Sequence, residues 1–282
     1  MRPSASEFGH TAHPSLLNGI PICGVAGDQQ AALFGQCCFK PGEAKSTYGT
    51  GNFMLVHTGT KAPLSQNRLL TTIVASAPGS SKLEYAIEGS VFVSGALVQW
   101  LRDELGLISS APQTQKLAES VPDTAGVYIV PAFTGLGAPY WDKEARGAIL
   151  GLTRGANKAH IVRATLEAMA YQLSDLIKAV QADTMLSLKS LKVDGGAASN
   201  DFLLQFQSDI LNIDIVRPQN TEATALGAAF LAGLTCGLWK DVAELCSLIN
   251  AEDVSVFSPQ MSEEKRQDLL DGWSKAVNRI LH

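Results

Sequence analysis

Asp28 and Thr50 are the residues whose types and settings could do chemistry together. Asp28 stands in Gly24-Val-Ala-Gly-Asp-Gln-Gln-Ala-Ala-Leu-Phe-Gly-Gln36, between Gly27 and a helix-forming run over Gln29 to Gln36. That setting places it at the N-terminal end of a helix, where free backbone N–H groups and the positive end of the dipole hold a carboxylate ionised. Further along, Tyr48-Gly49-Thr50-Gly51-Asn52 interrupts two extended stretches, Ala44 to Thr47 and Phe53 to His57, and predicts a tight hairpin. Glycines in such a turn let backbone N–H groups approach phosphate oxygens closely, and Thr50 adds a hydroxyl donor. A base for a hydroxyl nucleophile beside a donor-rich turn is what phosphoryl transfer requires, because that chemistry is mostly positioning and charge stabilisation. Each feature also has a plain structural reading, the Asp as a helix cap and the Gly-Thr-Gly as an ordinary hairpin.

The elements that would position these residues can be read along the chain. Residues 1–19 are polar and turn-rich and run into a short strand over Ile20 to Val25. Leu69 to Ala77 and Leu83 to Glu88 predict two strands around the turn Pro78-Gly79-Ser80-Ser81, extending a sheet begun at Ile20. Ser90 to Leu105 predicts a helix with Val91, Leu97, Trp100 and Leu101 on its apolar face; Gly95 and Gln99 share another face. Val127 to Phe133 is apolar throughout, as in a buried strand, and leads into a loop dense in glycine and aromatics, Thr134 to Asp142. After the strand and glycine turn over Gly147 to Gly155, Val162, Leu166, Met169, Leu173, Leu176 and Val180 form one helical stripe. His160, at the start of that helix, is isolated from the other histidines and has little support as a metal ligand. Leu191 to Gly196 is a strand ending in two glycines, after which Ser199-Asn200-Asp201 opens a helix. A strand, a glycine turn and a helix N-terminus form a common nucleotide-binding edge in α/β folds. Thr221 to Gly233 reads as a helix of small residues packed beneath that edge, and residues 262–281 as a last amphipathic helix.

Composition narrows the class. With 282 residues, 46% of them hydrophobic, the chain can bury a sizeable core. A net charge of −5 gives no electrostatic reason to expect nucleic acid or an anionic membrane as partner. An anionic nucleotide would be met by local N–H groups and a bound cation, for which magnesium is the expectation; no residue is assigned as a metal ligand. Five cysteines without paired metal or redox spacing, in mostly apolar surroundings, predict reduced, buried thiols and a cytoplasmic setting. No apolar run is long enough to span a bilayer. Gly42-Glu-Ala-Lys45-Ser46-Thr47 is no Walker A loop, since both glycines that the pattern needs are missing.

Ala-Gly-Asp28-Gln-Gln-Ala-Ala-Leu-Phe-Gly-Gln together with Lys45-Ser-Thr-Tyr-Gly-Thr-Gly strongly resembles the glycerol kinases of the carbohydrate kinase family, which shares the actin and hexokinase ATPase fold. The stretch Gly147 to Glu167 fits that family's second signature pattern, and Leu191 to Asn200 resembles the adenosine-binding motif of the actin-like fold. The resemblance implies an α/β, actin-like ATPase (ribonuclease H-like) domain with a mixed sheet flanked by helices. Residues 20–282 would be the C-terminal nucleotide-binding domain, and residues 1–19 an entry segment from a missing N-terminal domain. It implies Asp28 as the catalytic base and a substrate contact, and Gln29 as a second glycerol contact. Thr50 would hold the transferred phosphate, Gly95 and Gln99 would line the nucleotide cleft, and Gly196 and Asn200 would hold the adenosine end. ATP and Mg2+ follow as cofactors. Glycerol, ATP/ADP and a separate N-terminal kinase half follow as partners, with a homo-oligomer for the complete enzyme. His13 to Gly19 supplies no arginine, unlike the loop that binds fructose 1,6-bisphosphate in regulated members. A nucleotide-binding module without catalysis of its own is the competing expectation.

Overall fold

The computed structural model describes residues 2–12, 17–80, 82–250 and 254–282. Residues 13–16, most of the arginine-free stretch, lie outside the described residues. The strands in chain order are β1 (Ala5–His10), β2 (Pro21–Gly24), β3 (Ala44–Tyr48), β4 (Asn52–Gly59), β5 (Leu70–Ile73), β6 (Tyr85–Val91), β7 (Tyr128–Val130), β8 (Ala148–Leu150), β9 (Ser190–Gly195), β10 (Asp214–Arg217) and β11 (Ser255–Phe257). The helices are α1 (Asp28–Gly35), α2 (Gly95–Asp103), α3 (Gln113–Glu119), α4 (Lys158–Thr184), α5 (Asp201–Leu211), α6 (Ala223–Thr235), α7 (Val242–Asn250) and α8 (Glu263–Asn278).

Seven strands form one mixed sheet in the order β11-β10-β9-β3-β4-β6-β5, with β10, β9 and β3 parallel and the other neighbours antiparallel. Strand alternation divides its side chains between two faces. Tyr48, Met54, Val56, Ile87, Val91, Leu191 and Val193 point to the face covered by α4 and α5, where Leu166, Met169, Leu173 and Leu176 of the predicted stripe complete the main core. The opposite face carries Leu55 and Ala86, which pack with Leu33 of α1. The same face also carries a polar row: Lys45, Thr47, Glu88, Lys192 and Asp194. That polarity is unusual under a helix and bears on the site below. At the start of α4, His160 Nδ1 accepts the Asn157 N–H at 3.1 Å in a capping box, which gives this histidine a structural task.

Four sequence expectations are corrected. The strand at Ile20 does not begin the main sheet: β2 pairs with β1, a strand the sequence did not suggest within residues 1–19. The reason is that β2 is tied to α6, where the Thr235 hydroxyl donates to the Cys23 carbonyl at 2.8 Å. The helix expected from Ser90 starts at Gly95, because Ser90 and Val91 complete the pairing of β6 with β4. The apolar run after Val127 forms only the short strand β7, paired with β8 outside the main sheet. Finally, α6 packs most closely against α1 rather than beneath the glycine turn after β9. A methyl added at Gly227 would lie 1.8 Å from the Ala31 carbonyl oxygen, and one at Gly35 would lie 2.1 Å from that of Ala223. The small residues of α6 therefore set the position of the helix that begins with Asp28.

This contact yields a stability prediction. Gly227→Ala forces the two helices apart and is expected to cost about 1–3 kcal/mol or more, lowering the melting midpoint by roughly 2–4 °C per kcal/mol. Gly155→Ala, where the added methyl would meet nothing nearer than 3.7 Å, is the control, expected within about 0.5 kcal/mol of the parent. Equal melting curves for the two variants would refute the close-packing account.

Candidate active site

Asp28 is the first residue of α1, and Gly27, not Asp28, occupies the N-cap position. Its exposed carboxylate accepts the Gln29 backbone N–H at 2.8 Å through Oδ1 and lies 3.4 Å from Gln29 Nε2 through Oδ2. Much of its acceptor capacity therefore faces open space, which a base for a bound hydroxyl needs.

Gln29 leads inward to the polar row of the sheet. Lys45 Nζ donates to Gln29 Oε1, to Thr47 Oγ1 at 2.9 Å and to the Phe53 carbonyl at 3.1 Å. Thr47 lies opposite Asp194 in the β3–β9 pairing, Asp194 accepts Gln36 Nε2 at 2.9 Å, and Lys192 Nζ donates to the Gln36 carbonyl at 2.6 Å. These two sets of bonds lie beneath the two ends of α1, one at Gln29 and one at Gln36, and the second reaches Asp194, the last side chain before the glycine turn of β9. Burial lowers the Lys45 amine to about 8. It also raises the Asp194 and Glu88 carboxyls, against the pull of Lys45.

The hairpin between β3 and β4 opens on the other end of this array. Its carbonyls are engaged by the first turn of α2: Ser94 N–H and Ala96 N–H donate to Thr50 O at 2.9 and 3.1 Å, and Gly95 N–H donates to Gly49 O at 3.0 Å. Gly95 is required for that approach, since an added methyl would lie 2.5 Å from Gly49 O. The Thr50 N–H and hydroxyl, by contrast, have no partner among the described residues, and Thr50 is exposed. At the end of β9, Gly195 has φ +86 and its added methyl would strike Tyr48 O at 2.3 Å, whereas Gly196 has open space where a side chain would be.

Thr50, Gly95, Gln99, Gly196 and Asn200 all line one cavity of about 860 Å³. Asp28 and Gln29 do not line it. The sequence reading missed the opposite rim, where α3 contributes Thr114, Gln115, Lys116 and Glu119. Its one local signal is Pro112 at the helix start, because the seven residues of α3 are too few to display a period. Two of these residues use groups expected to meet a ligand: Asn200 Nδ2 donates to Thr114 Oγ1 at 3.1 Å, and the Asp201 N–H donates to Gln115 Oε1 at 3.1 Å. Asn200 Oδ1 also caps α5 through the Leu203 N–H at 3.0 Å, so the α5 terminus is partly satisfied within the protein. One Nδ2 hydrogen of Asn200 remains for a ligand.

Residues 44–236, from the first strand of the hairpin to the end of α6, match the C-terminal domain of the FGGY family of carbohydrate kinases. The chain belongs to that family. Among curated relatives, glycerol kinase of Alkaliphilus metalliredigens (strain QYMF) is 57% identical over 282 residues, and glycerol kinase of Alkaliphilus oremlandii (strain OhILAs) is 56% identical over 282 residues. Each match takes in 100% of this chain, and 56% and 55% of those relatives, so the chain spans about half the length of the curated relatives it matches. The crystal structure of Plasmodium falciparum glycerol kinase with ADP superposes with a TM-score of 0.92 at 39% identity, covering 100% of this chain and 56% of that one. A xylulose kinase from Lactobacillus acidophilus superposes at 0.79 with 22% identity, over 92% of this chain and 52% of that one, and shares the fold. The FGGY chain thus has the actin-like ATPase architecture, a mixed sheet between helices. Among the described residues no helix is long and apolar enough to cross a membrane.

Proposed function

We propose that this FGGY domain is the nucleotide and base half of an ATP-dependent glycerol kinase, which transfers the terminal phosphoryl group of ATP to glycerol and gives glycerol 3-phosphate. The carrying observation is the cavity that gathers Thr50, Gly95, Gln99, Gly196 and Asn200 while leaving the Thr50 donors unused. High identity to the Alkaliphilus glycerol kinases over the full chain supports glycerol as the acceptor.

The residues divide the work. Gly196 offers a bare backbone surface on which adenine packs, and the remaining Asn200 amide hydrogen meets the nucleoside end. Gln99 lines the middle of the cleft, and Gly95 keeps the hairpin close to α2. Thr50 donates its N–H and hydroxyl to the transferred phosphate, where charge builds up in the transition state. Asp28 takes the proton of the attacking hydroxyl, and Gln29 orients the substrate beside it. Mg2+ would be held mainly by phosphate oxygens and water, as is usual for this ion beside a nucleotide, and would supply charge neutralisation. The N-terminal kinase half supplies the facing wall and most glycerol contacts, and without it the domain is a nucleotide-binding module. The complete enzyme is a cytoplasmic homo-oligomer in this reading, to which the free thiols of all five cysteines lend support for the compartment, although Cys236 is exposed and Cys246 half-buried where buried thiols were expected.

Titrating the chain with Mg·ADP tests the nucleotide assignment. Binding on the order of millimolar, about 4 kcal/mol, is expected for one wall of a site. Gly196→Ala should weaken it severalfold, up to about tenfold, with little change in melting, because the one added carbon meets no neighbour within 4 Å and stands where adenine would pack. Unchanged ADP affinity in that variant would remove the cavity from the account.

A further inference from the structure

Lys45 sits in the middle of β3 with 0% of its surface exposed. A buried ammonium is unfavourable unless its donors are satisfied, and here all three are used, on Gln29 Oε1, Thr47 Oγ1 and the Phe53 carbonyl. The contact with Gln29 has a stereochemical consequence. An ammonium has no acceptor, so the carboxamide can meet it only through Oε1, and Nε2 is turned outward, 3.4 Å from Asp28 Oδ2. The charged and titratable groups facing Lys45 are Asp28 from α1, Cys38 just beyond α1, Glu88 from β6, and Asp194 and the cross-strand Lys192 from β9. Burial outweighs the three carboxylates and brings the amine down to about 8.

We propose that Lys45 is a positioning residue for the substrate end of the site, fixing the Gln29 amide so that it offers a bound hydroxyl only N–H donors beside the acceptor Asp28. The proposal rests on the reading that the Asp28 end receives a hydroxyl substrate. It deepens that reading, because an acceptor and a donor side by side suit a vicinal diol. One hydroxyl gives its hydrogen to Asp28 while the oxygen of its neighbour accepts from Gln29. A substrate with a single hydroxyl, or with an ether oxygen at the reacting position, leaves one of the two groups unpaired.

Nuclear magnetic resonance on the isotope-labelled chain tests this without catalysis. The Gln29 side-chain amide pair is assigned with Gln29→Glu, and the Lys45 ε-carbon is followed from acid to alkaline pH. Both signals are expected to titrate together near the value of about 8 given above. Lys45→Met should shift the Gln29 pair and speed its hydrogen exchange about tenfold, while the backbone N–H signals of Asp28 and Gln29 stay in place. If that variant does not fold, the titration of the unmodified chain decides alone. A Gln29 pair that responds to molar glycerol but not to Lys45 titration overturns the proposal and leaves the glycerol reading intact. A pair that follows Lys45 but ignores glycerol even after an N-terminal kinase half has been added to the labelled chain overturns the substrate reading, and the diol assignment with it.

Discussion

Changing Asp28 to Asn, in this chain paired with an N-terminal kinase half, is expected to cut glycerol-dependent turnover by roughly 10²-fold or more while nucleotide affinity stays within a few-fold. Asn keeps the shape of the side chain and an oxygen for the Gln29 N–H, but it cannot take up a proton at neutral pH. Nor should folding suffer. Asp28 is exposed and Gly27 holds the cap position, so a stability change within about 0.5 kcal/mol is expected. The nucleotide cavity is lined by other residues, which is why ADP binding should be spared. A steady-state ADP-release assay with a melting curve of each variant separates these effects, and a rate close to that of the parent would reduce Asp28 to a residue of the helix terminus.

A second large effect is expected from the 282 residues by themselves: no glycerol-dependent ADP release above the blank. Thr50 and Asp28 are both exposed, and in water a charge contact at about 4 Å is worth about 1 kcal/mol, against about 4 kcal/mol at the lower dielectric of a closed protein site. An open wall also cannot exclude water or hold the hydroxyl in line with the phosphate. Turnover by the chain alone in the usual enzymatic range of roughly 1–10³ s⁻¹ would show that it builds a complete site, for example across an interface between copies.

Much of this was legible in the residues themselves. The α4 stripe, the β3–β4 hairpin and the turn after β9 are dictated by local pattern, through helical period, strand alternation and glycine. The placement of Asp28 at a helix start followed from Gly27 and the run after it, although the cap itself fell to the glycine. What stayed hidden depends on partners distant in sequence. The strand β1 exists because β2 and α6 hold it, and Ser90 and Val91 are strand because β4 lies beside them. The short helix α3 has no period to read, yet it forms the far rim of the cavity and uses two groups of the Asn200 turn. Lys45 was read as a residue of a failed Walker pattern and of the motif that carries the family resemblance, with no role of its own. Nothing in its local sequence says that its ammonium is buried beneath α1, because that follows from the register of four strands and the packing of one helix.

The central claim is that this chain contributes the base and the nucleotide wall to a glycerol-phosphorylating enzyme. The most direct measurement is ADP release on mixing the chain with the separately produced N-terminal half of the Alkaliphilus metalliredigens glycerol kinase, with and without glycerol. Neither half is expected to turn over alone, and the mixture is expected to release ADP only when glycerol is present. Asp28→Asn in this chain should then slow that release by roughly 10²-fold or more, the loss typical of a positioned base. Glycerol-independent release, or a mixture in which the Asp28→Asn chain is as active as the parent chain, would contradict the claim.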